Sequence, residues 1–224
     1  MDLKEIAAKE AVKHVKDGMV VGLGSGSTAS IAIRLLGDKS KQGWKLVGVP
    51  TSRDSESLGR AVGLEIGELK DYPVVDLTID GADEVDPQLN LIKGLGGALV
   101  REKIVASATK MEIIVVDDSK MVNYLCQKVP LPVEIVKFAS ESTMRRLQRF
   151  GCVPKLREKG GINFITDNGN LIADCKFPRI DDPKKMEAEL NLVPGVVDNG
   201  LFVGLAHKVI VASKDGLRTI DRKG

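Results

Sequence analysis

The stretch Met19-Val20-Val21-Gly22-Leu23-Gly24-Ser25-Gly26-Ser27-Thr28-Ala29-Ser30-Ile31-Ala32-Ile33-Arg34-Leu35-Leu36 decides the fold class. Residues 19–23 form a short apolar run suited to a strand buried on both faces. Residues 24–27 are too rich in glycine and serine to prolong it. Residues 28–36 return to helical spacing, with a stop at Gly37-Asp38. A strand, a glycine turn and a helix open a parallel α/β unit. On the N-terminal side, Leu3, Ile6, Ala7 and Ala11 recur at helical spacing and predict a first helix that ends near Asp17-Gly18. On the C-terminal side the alternation continues. Strands are expected at 45–49 (ended by Pro50), 74–80 and 113–116, and helices at 56–63 and 98–109. In 74–80, Val75, Leu77 and Ile79 share one face, with Asp76, Thr78 and Asp80 on the other. The helix at 98–109 carries Val100, Ile104 and Ala108 along one side.

The pattern changes near Lys128. Residues 131–139 read as a strand and 140–150 as a helix stopped by Gly151. Residues 152–157 and 162–166 read as strands, and Asn168-Gly169 predicts a hairpin into 171–177. Asp182-Pro183 opens a helix, and 196–203 is one more strand. This β-α-β-β-α-β order is ferredoxin-like. Residues 208–212 then resume the buried-strand pattern, and Asp215-Gly216 turns them into a last strand. The expected architecture is α/β: a Rossmann-like, mostly parallel sheet domain at 1–127 and 205–224, with a smaller ferredoxin-like α+β domain inserted at 128–204.

Composition narrows the function. The 224 residues carry 33 Lys plus Arg against 31 Asp plus Glu, a net charge of +2, with 43% hydrophobic residues. Such a chain builds a core and sets up no general field for nucleic acid or a membrane surface. Cys126, Cys152 and Cys175 form no Cys-x-x-Cys pair, and only His14 and His207 are present, which argues against a structural zinc site and a disulfide scaffold. Scattered odd cysteines suit a reducing cytoplasm. No apolar run is long enough to span a bilayer, and the charged N-terminus has no signal core. Four glutamines beside abundant charged residues lean toward a heat-adapted source.

Three short motifs carry chemistry. Gly24-Ser25-Gly26-Ser27-Thr28-Ala29 sits at a strand-to-helix junction, where unpaired N–H groups and serine and threonine hydroxyls suit a phosphate. It also fits G-x-G-x-x-A. However, the second strand ends in Val49-Pro50-Thr51-Ser52, without the carboxylate that a dinucleotide ribose requires. No Gly-Lys-Ser/Thr of a Walker loop follows, and a plain helix cap would use the same residues. Asp80-Gly81-Ala82-Asp83-Glu84 follows a strand end, where two carboxylates could hold sugar hydroxyls, share a proton, bind Mg²⁺ or form a solvated turn. Lys93-Gly94-Leu95-Gly96-Gly97-Ala98 offers a lysine and backbone amides to a developing oxyanion. Glu102 follows in the first turns of a helix, off the Val100–Ile104 stripe. There it serves either as a general base or as a helix-stabilising acid. Asp118 and Lys120, after the strand at 113–116, are a ligand contact or a charged loop.

Taken in order, these motifs resemble ribose-5-phosphate isomerase, type A. Arg101-Glu102-Lys103-Ile104, Pro130-Leu131-Pro132-Val133-Glu134, Thr166-Asp167-Asn168-Gly169-Asn170 and Pro194-Gly195-Val196-Val197 extend the resemblance along nearly the whole chain. The resemblance implies interconversion of ribose 5-phosphate and ribulose 5-phosphate in the pentose phosphate pathway, without metal or organic cofactor, by a cytoplasmic homodimer or homotetramer. It implies that Glu102 transfers the proton and that Ser25, Gly26, Ser27 and Thr28 form a substrate loop. Asp80, Gly81, Ala82 and Asp83 are then expected to line the sugar, with Asp80 and Asp83 helping to open the ring. Lys93, Gly94, Leu95 and Gly96 form the second loop, Lys93 being the catalytic lysine. Lys120 and Lys4 match substrate-contacting lysines. Ser25 stands where threonine is usual in the family, and Leu95 where glycine or another residue appears. A nicotinamide-dependent dehydrogenase and a non-catalytic sugar-phosphate sensor are the rival classes. The first lacks its ribose carboxylate, and the second would not need Glu102 beside a lysine–glycine loop.

Overall fold

The computed structural model describes residues 2–222. In chain order the first strands are β1 (Val20–Leu23), β2 (Val47–Pro50), β3 (Glu65–Ile66), β4 (Leu77–Asp80), β5 (Glu84–Val85) and β6 (Leu91–Ile92). Next come β7 (Glu112–Asp117), β8 (Leu131–Ile135), β9 (Val153–Leu156), β10 (Glu158–Lys159), β11 (Ile162–Asn163) and β12 (Leu171–Lys176). The last are β13 (Val196–Asn199), β14 (Leu201–Phe202), β15 (Lys208–Ser213) and β16 (Gly216–Asp221). The helices are α1 (Leu3–Val12), α2 (Ser27–Lys41), α3 (Arg53–Ala61), α4 (Leu99–Ser107), α5 (Ser140–Leu147) and α6 (Pro183–Asn191).

The chain forms two compact units. The first takes the chain up to Ala82, Arg101–Lys120 and the part from Gly204 onward. Its sheet has the order β16-β15-β7-β4-β1-β2-β3. Every neighbouring pair is parallel except β15 with β16, so the mostly parallel α/β sheet expected from the sequence is what forms. The chain steps outward from β1 to β3 on one side and from β4 through β7 to β15 on the other. The order therefore reverses between β1 and β4, the place where open α/β sheets bind ligands. Ala7, Ala8 and Ala11 of α1, and Ala32, Ile33 and Leu36 of α2, pack with Leu23, Ile79 and Ile113 of the sheet. All four β4 residues are buried. The alternation of Leu77 and Ile79 with Thr78 and Asp80 therefore does not mark a solvated face, since a central strand covered on both sides has none.

Helix α2 runs on to Lys41, through the Gly37-Asp38 expected to stop it. Gly37 is a packing residue: a Cβ there would lie 2.6 Å from the Val62 side chain. Helix α4 also differs from its sequence reading. Leu99, Glu102, Val105 and Ala106 are its buried residues, whereas Ile104 is 50% exposed. Val105 packs with Val49 and Val75 of the first unit.

The second unit comprises Asp83–Val100 and Met121–Val203. The sequence reading drew boundaries at 127/128 and 204/205. The division near the C-terminus falls at 203/204, but the second unit begins at Met121 and also takes in Asp83–Val100, because β5 and β6 pair with each other and β6 pairs with β14. A four-stranded antiparallel sheet has the order β13-β8-β12-β9, around a core that includes Leu131, Val133, Ile135, Leu147, Ala173 and Leu190. The expected hairpin at Asn168-Gly169 is a turn, but its arms do not pair as foreseen. Strand β11 pairs with β10, and β12 pairs with β8 and β9. The run 196–203 is two strands in different sheets, broken at Gly200. The Gly200 N–H donates to Pro132 O (2.8 Å) and its carbonyl accepts from Lys93 N (2.9 Å), so the chain changes sheets there.

Candidate active site

In the first unit, the loops after β1, β2, β4 and β7 all leave the carboxyl edge of the parallel sheet. The loop after β1 is tied to the loop after β4. Gly24 N donates to Ile79 O (3.1 Å), Ser25 N to Asp80 Oδ1 (3.0 Å), and Gly81 N to the same oxygen (2.7 Å). Asp80 is buried, and two amides on one carboxylate oxygen hold its side chain in a single orientation. Ser25 Oγ lies 2.9 Å from Thr51 Oγ1 and donates to Ser52 Oγ (2.7 Å), so that hydroxyl turns toward the loop after β2. Thr51 and Ser52 are buried polar residues that the sequence offered only as a strand end without a carboxylate.

Gly26, at φ +94°, is the N-cap of α2, whose first turn holds no acidic residue. The positive end of that helix dipole thus meets no carboxylate of its own, which suits an anion. Lys4 Nζ donates to Ser27 Oγ (2.9 Å), bringing an ammonium from α1 to this loop. Thr28 is half-buried in the first turn. Lys120 ends a short 3-10 turn, Asp118–Lys120, directly after β7. Glu102 is 5% exposed on the buried face of α4. The sequence placed it off the Val100–Ile104 stripe, but the stripe that packs is Leu99, Glu102, Val105 and Ala106.

In the second unit, Asp83, Lys93 and the glycine loop are interlocked. Asp83 N donates to Ile92 O (2.8 Å), and Asp83 Oδ2 accepts from Leu95 N (2.9 Å). Lys93 is 2% exposed, with its Nζ 5.5 Å from the Phe202 ring centroid. Gly94 takes φ +99°, Gly97 N closes the turn on Gly94 O (2.9 Å), and Leu95 and Gly96 are exposed at its tip. Glu84, fully buried, accepts from the backbone N–H groups of Cys126 (2.7 Å), Lys128 and Val129 (2.9 Å). Glu134 accepts from Thr166 Oγ1 (3.0 Å), Asn168 Nδ2 (3.2 Å) and Asn170 Nδ2 (2.8 Å), which explains the two motifs that carry those residues. Arg157 was not foreseen at all. Its Nη1 donates to the carbonyls of Gly94 (2.9 Å) and Leu95 (2.7 Å), a link across more than sixty residues that no local pattern announces.

Among the described residues, no group of three or more His, Cys, Asp or Glu side chains could hold a metal ion, and no helix is long and apolar enough to cross a membrane. The three cysteines are free and buried. His207 Nδ1 accepts from Glu112 N (3.1 Å), a structural role.

Comparison with known proteins places the whole chain in one family. The family profile described as Ribose 5-phosphate isomerase A (phosphoriboisomerase A) matches residues 47–216. The chain is 51% identical to ribose-5-phosphate isomerase A of Pyrococcus abyssi over 227 residues, covering 99% of this chain and 98% of that protein. A solved D-ribose-5-phosphate isomerase in complex with phospho-erythronic acid superposes with a TM-score of 0.96 at 46% identity, covering 99% of this chain and 100% of the other. Ribose 5-phosphate isomerase A from Methanocaldococcus jannaschii gives 0.94 at 42% identity, covering 98% of each chain.

Proposed function

The chain belongs to the ribose 5-phosphate isomerase A family, and from that premise we propose that it moves a proton between C1 and C2 of its pentose phosphate with Glu102, through a cis-enediolate. The overall reaction is the interconversion of ribose 5-phosphate and ribulose 5-phosphate. The observation that carries the reading is the burial of Glu102, 5% exposed on the packed face of α4. A glutamate that only stabilised a helix end would sit in water.

Each group then has a task. Asp80, held by two amides, and Asp83 assist ring opening by handling the protons of the ring oxygen and the C1 hydroxyl. Glu102 takes the C2 proton of the open aldose and returns it to C1, while O1 gains a proton and O2 loses one. Lys93 and the amides of Gly94 and Gly96 offset the negative charge that builds on the enediolate oxygens, while those of Leu95 and Gly97 hold the loop in shape. Ser27, Thr28 and the start of α2 bind the phosphate, with Lys4 and Lys120 as cationic partners. Gly26, Gly81, Ala82, Leu95 and Gly96 contribute backbone, where close approach matters more than side-chain chemistry. The same reading makes the protein a cytoplasmic homodimer or homotetramer of the pentose phosphate pathway, and light scattering would decide the oligomer.

The direct test is to incubate the protein with ribose 5-phosphate in deuterated water and follow label at the transferred carbon as ribulose 5-phosphate forms. Glu102→Gln should lower kcat by about a thousandfold or more with sugar phosphate still bound. Near-normal turnover in that variant would remove Glu102 from the mechanism.

A further inference from the structure

Arg157 is the element of the second unit that no part of this mechanism uses. Its side chain is 12% exposed, and its guanidinium is committed on both sides. Nε donates to Asp174 Oδ2 (2.9 Å) and Nη2 to Asp174 Oδ1, a forked pair that fixes the plane of the group. Nη1 then donates to the carbonyls of both Gly94 and Leu95. Asp174 lies within β12, paired across to Lys155 of β9, so the anchor stands on a sheet rather than a loop.

The consequence follows from peptide geometry. In a planar trans peptide the carbonyl and the next N–H point in opposite directions. Turning the carbonyls of 94 and 95 toward one nitrogen turns the N–H groups of 95 and 96 away from it. The first of these amides meets Asp83 Oδ2, so the Gly94–Leu95 peptide is gripped at both ends. The second belongs to Gly96 at the exposed tip of the loop. A cation on a carbonyl also polarises its peptide and strengthens the N–H as a donor.

We propose that Arg157, locked by Asp174, is a positioning residue that aims and polarises the Gly96 amide, at the tip of the 93–97 loop, for the enediolate oxygen. The proposal rests on the reading of that loop as the oxyanion-stabilising segment. Arg157→Lys keeps the charge but has three donors on a single nitrogen, so it cannot reproduce the planar fork on Asp174 together with both carbonyl bonds.

The experiment compares wild type with Arg157→Lys and Asp174→Asn. It measures kcat, KM and the affinities for two probes: 5-phosphoribonate, with a carboxylate at C1, and ribitol 5-phosphate, with a neutral hydroxymethyl group there. In Arg157→Lys, kcat should fall by about tenfold to a hundredfold while KM stays within about threefold. Affinity for the carboxylate probe should drop about tenfold and that for the neutral probe by less than about twofold. Asp174→Asn should move the same ratio in the same direction. A folded Arg157→Lys with wild-type kcat, or a loss shared equally by both probes, overturns the proposal. If Arg157→Lys fails to fold, an unchanged probe ratio in Asp174→Asn overturns it as well. Wild-type isomerisation and its loss in Glu102→Gln report on the function reading alone, so the two can fail separately.

Discussion

A Cβ built on Gly24 would lie 2.4 Å from Asp80 Oδ1 and 2.5 Å from Asp80 Cα. One of those atoms is backbone, so the clash cannot be relieved by rotating a side chain. Gly24→Ala should therefore displace the loop after β1 from the loop after β4, and kcat/KM should fall at least about tenfold, as steady-state kinetics would show. Thr28→Ala is expected to act differently. It removes one hydroxyl at the start of α2, so KM for ribose 5-phosphate should rise about tenfold while kcat moves less. An unchanged KM would take Thr28 out of the phosphate site. Both residues were legible because each lies within a contiguous motif. The burial of Glu102 was not, since a carboxylate on the packed face of a helix breaks the rule that puts charge in solvent.

At the scale of elements, the central strand β4 is held at its start by Asp76. Asp76 Oδ1 accepts from Lys110 Nζ (2.8 Å) and Oδ2 from Val20 N (3.0 Å). The Lys110 ammonium, then the Val20 amide, keep the Asp76 carboxyl below its ordinary value of 3.8. A carboxyl whose folded pKa is lowered contributes stability that is complete above its unfolded pKa and is lost as pH falls through the folded value. The pair is partly exposed, so its contribution is at most about 1 kcal/mol. Asp76→Asn should lower Tm by about 2–4 °C at pH 7, and the gap should close as pH drops below about 4. A gap that persists at pH 2 would assign the loss to something other than ionisation. The strands themselves were legible from short apolar runs. Their lengths and partners were not, because β11 and β12 meet different neighbours across long stretches of chain and Gly200 breaks a run that looks continuous in sequence.

For the molecule as a whole, the proposed mechanism leaves the acid–base work to carboxylates, with lysines and backbone amides offsetting charge. His207 is engaged with Glu112 N, and the cysteines are buried. The proposed proton transfer assigns no step to a divalent ion. Dialysis against EDTA should leave turnover within about twofold of the untreated protein, which a coupled assay would show; a large loss restored by Mg²⁺ would revive a metal role for Asp80 and Asp83.

The sequence by itself determined the parallel α/β sheet, the glycine–serine turn at 24–28, the carboxylates at 80 and 83, and the lysine–glycine loop. These depend on residues close in the chain, where backbone sterics and hydrophobic periodicity act locally. Only the tertiary structure decided which face of α4 is buried, that Lys4 reaches Ser27, and that Arg157 and Asp174 hold the loop at 94 and 95. Those contacts join residues that are distant in sequence. Their energies come from burial and from aligned donors and acceptors, which exist only once the chain has folded.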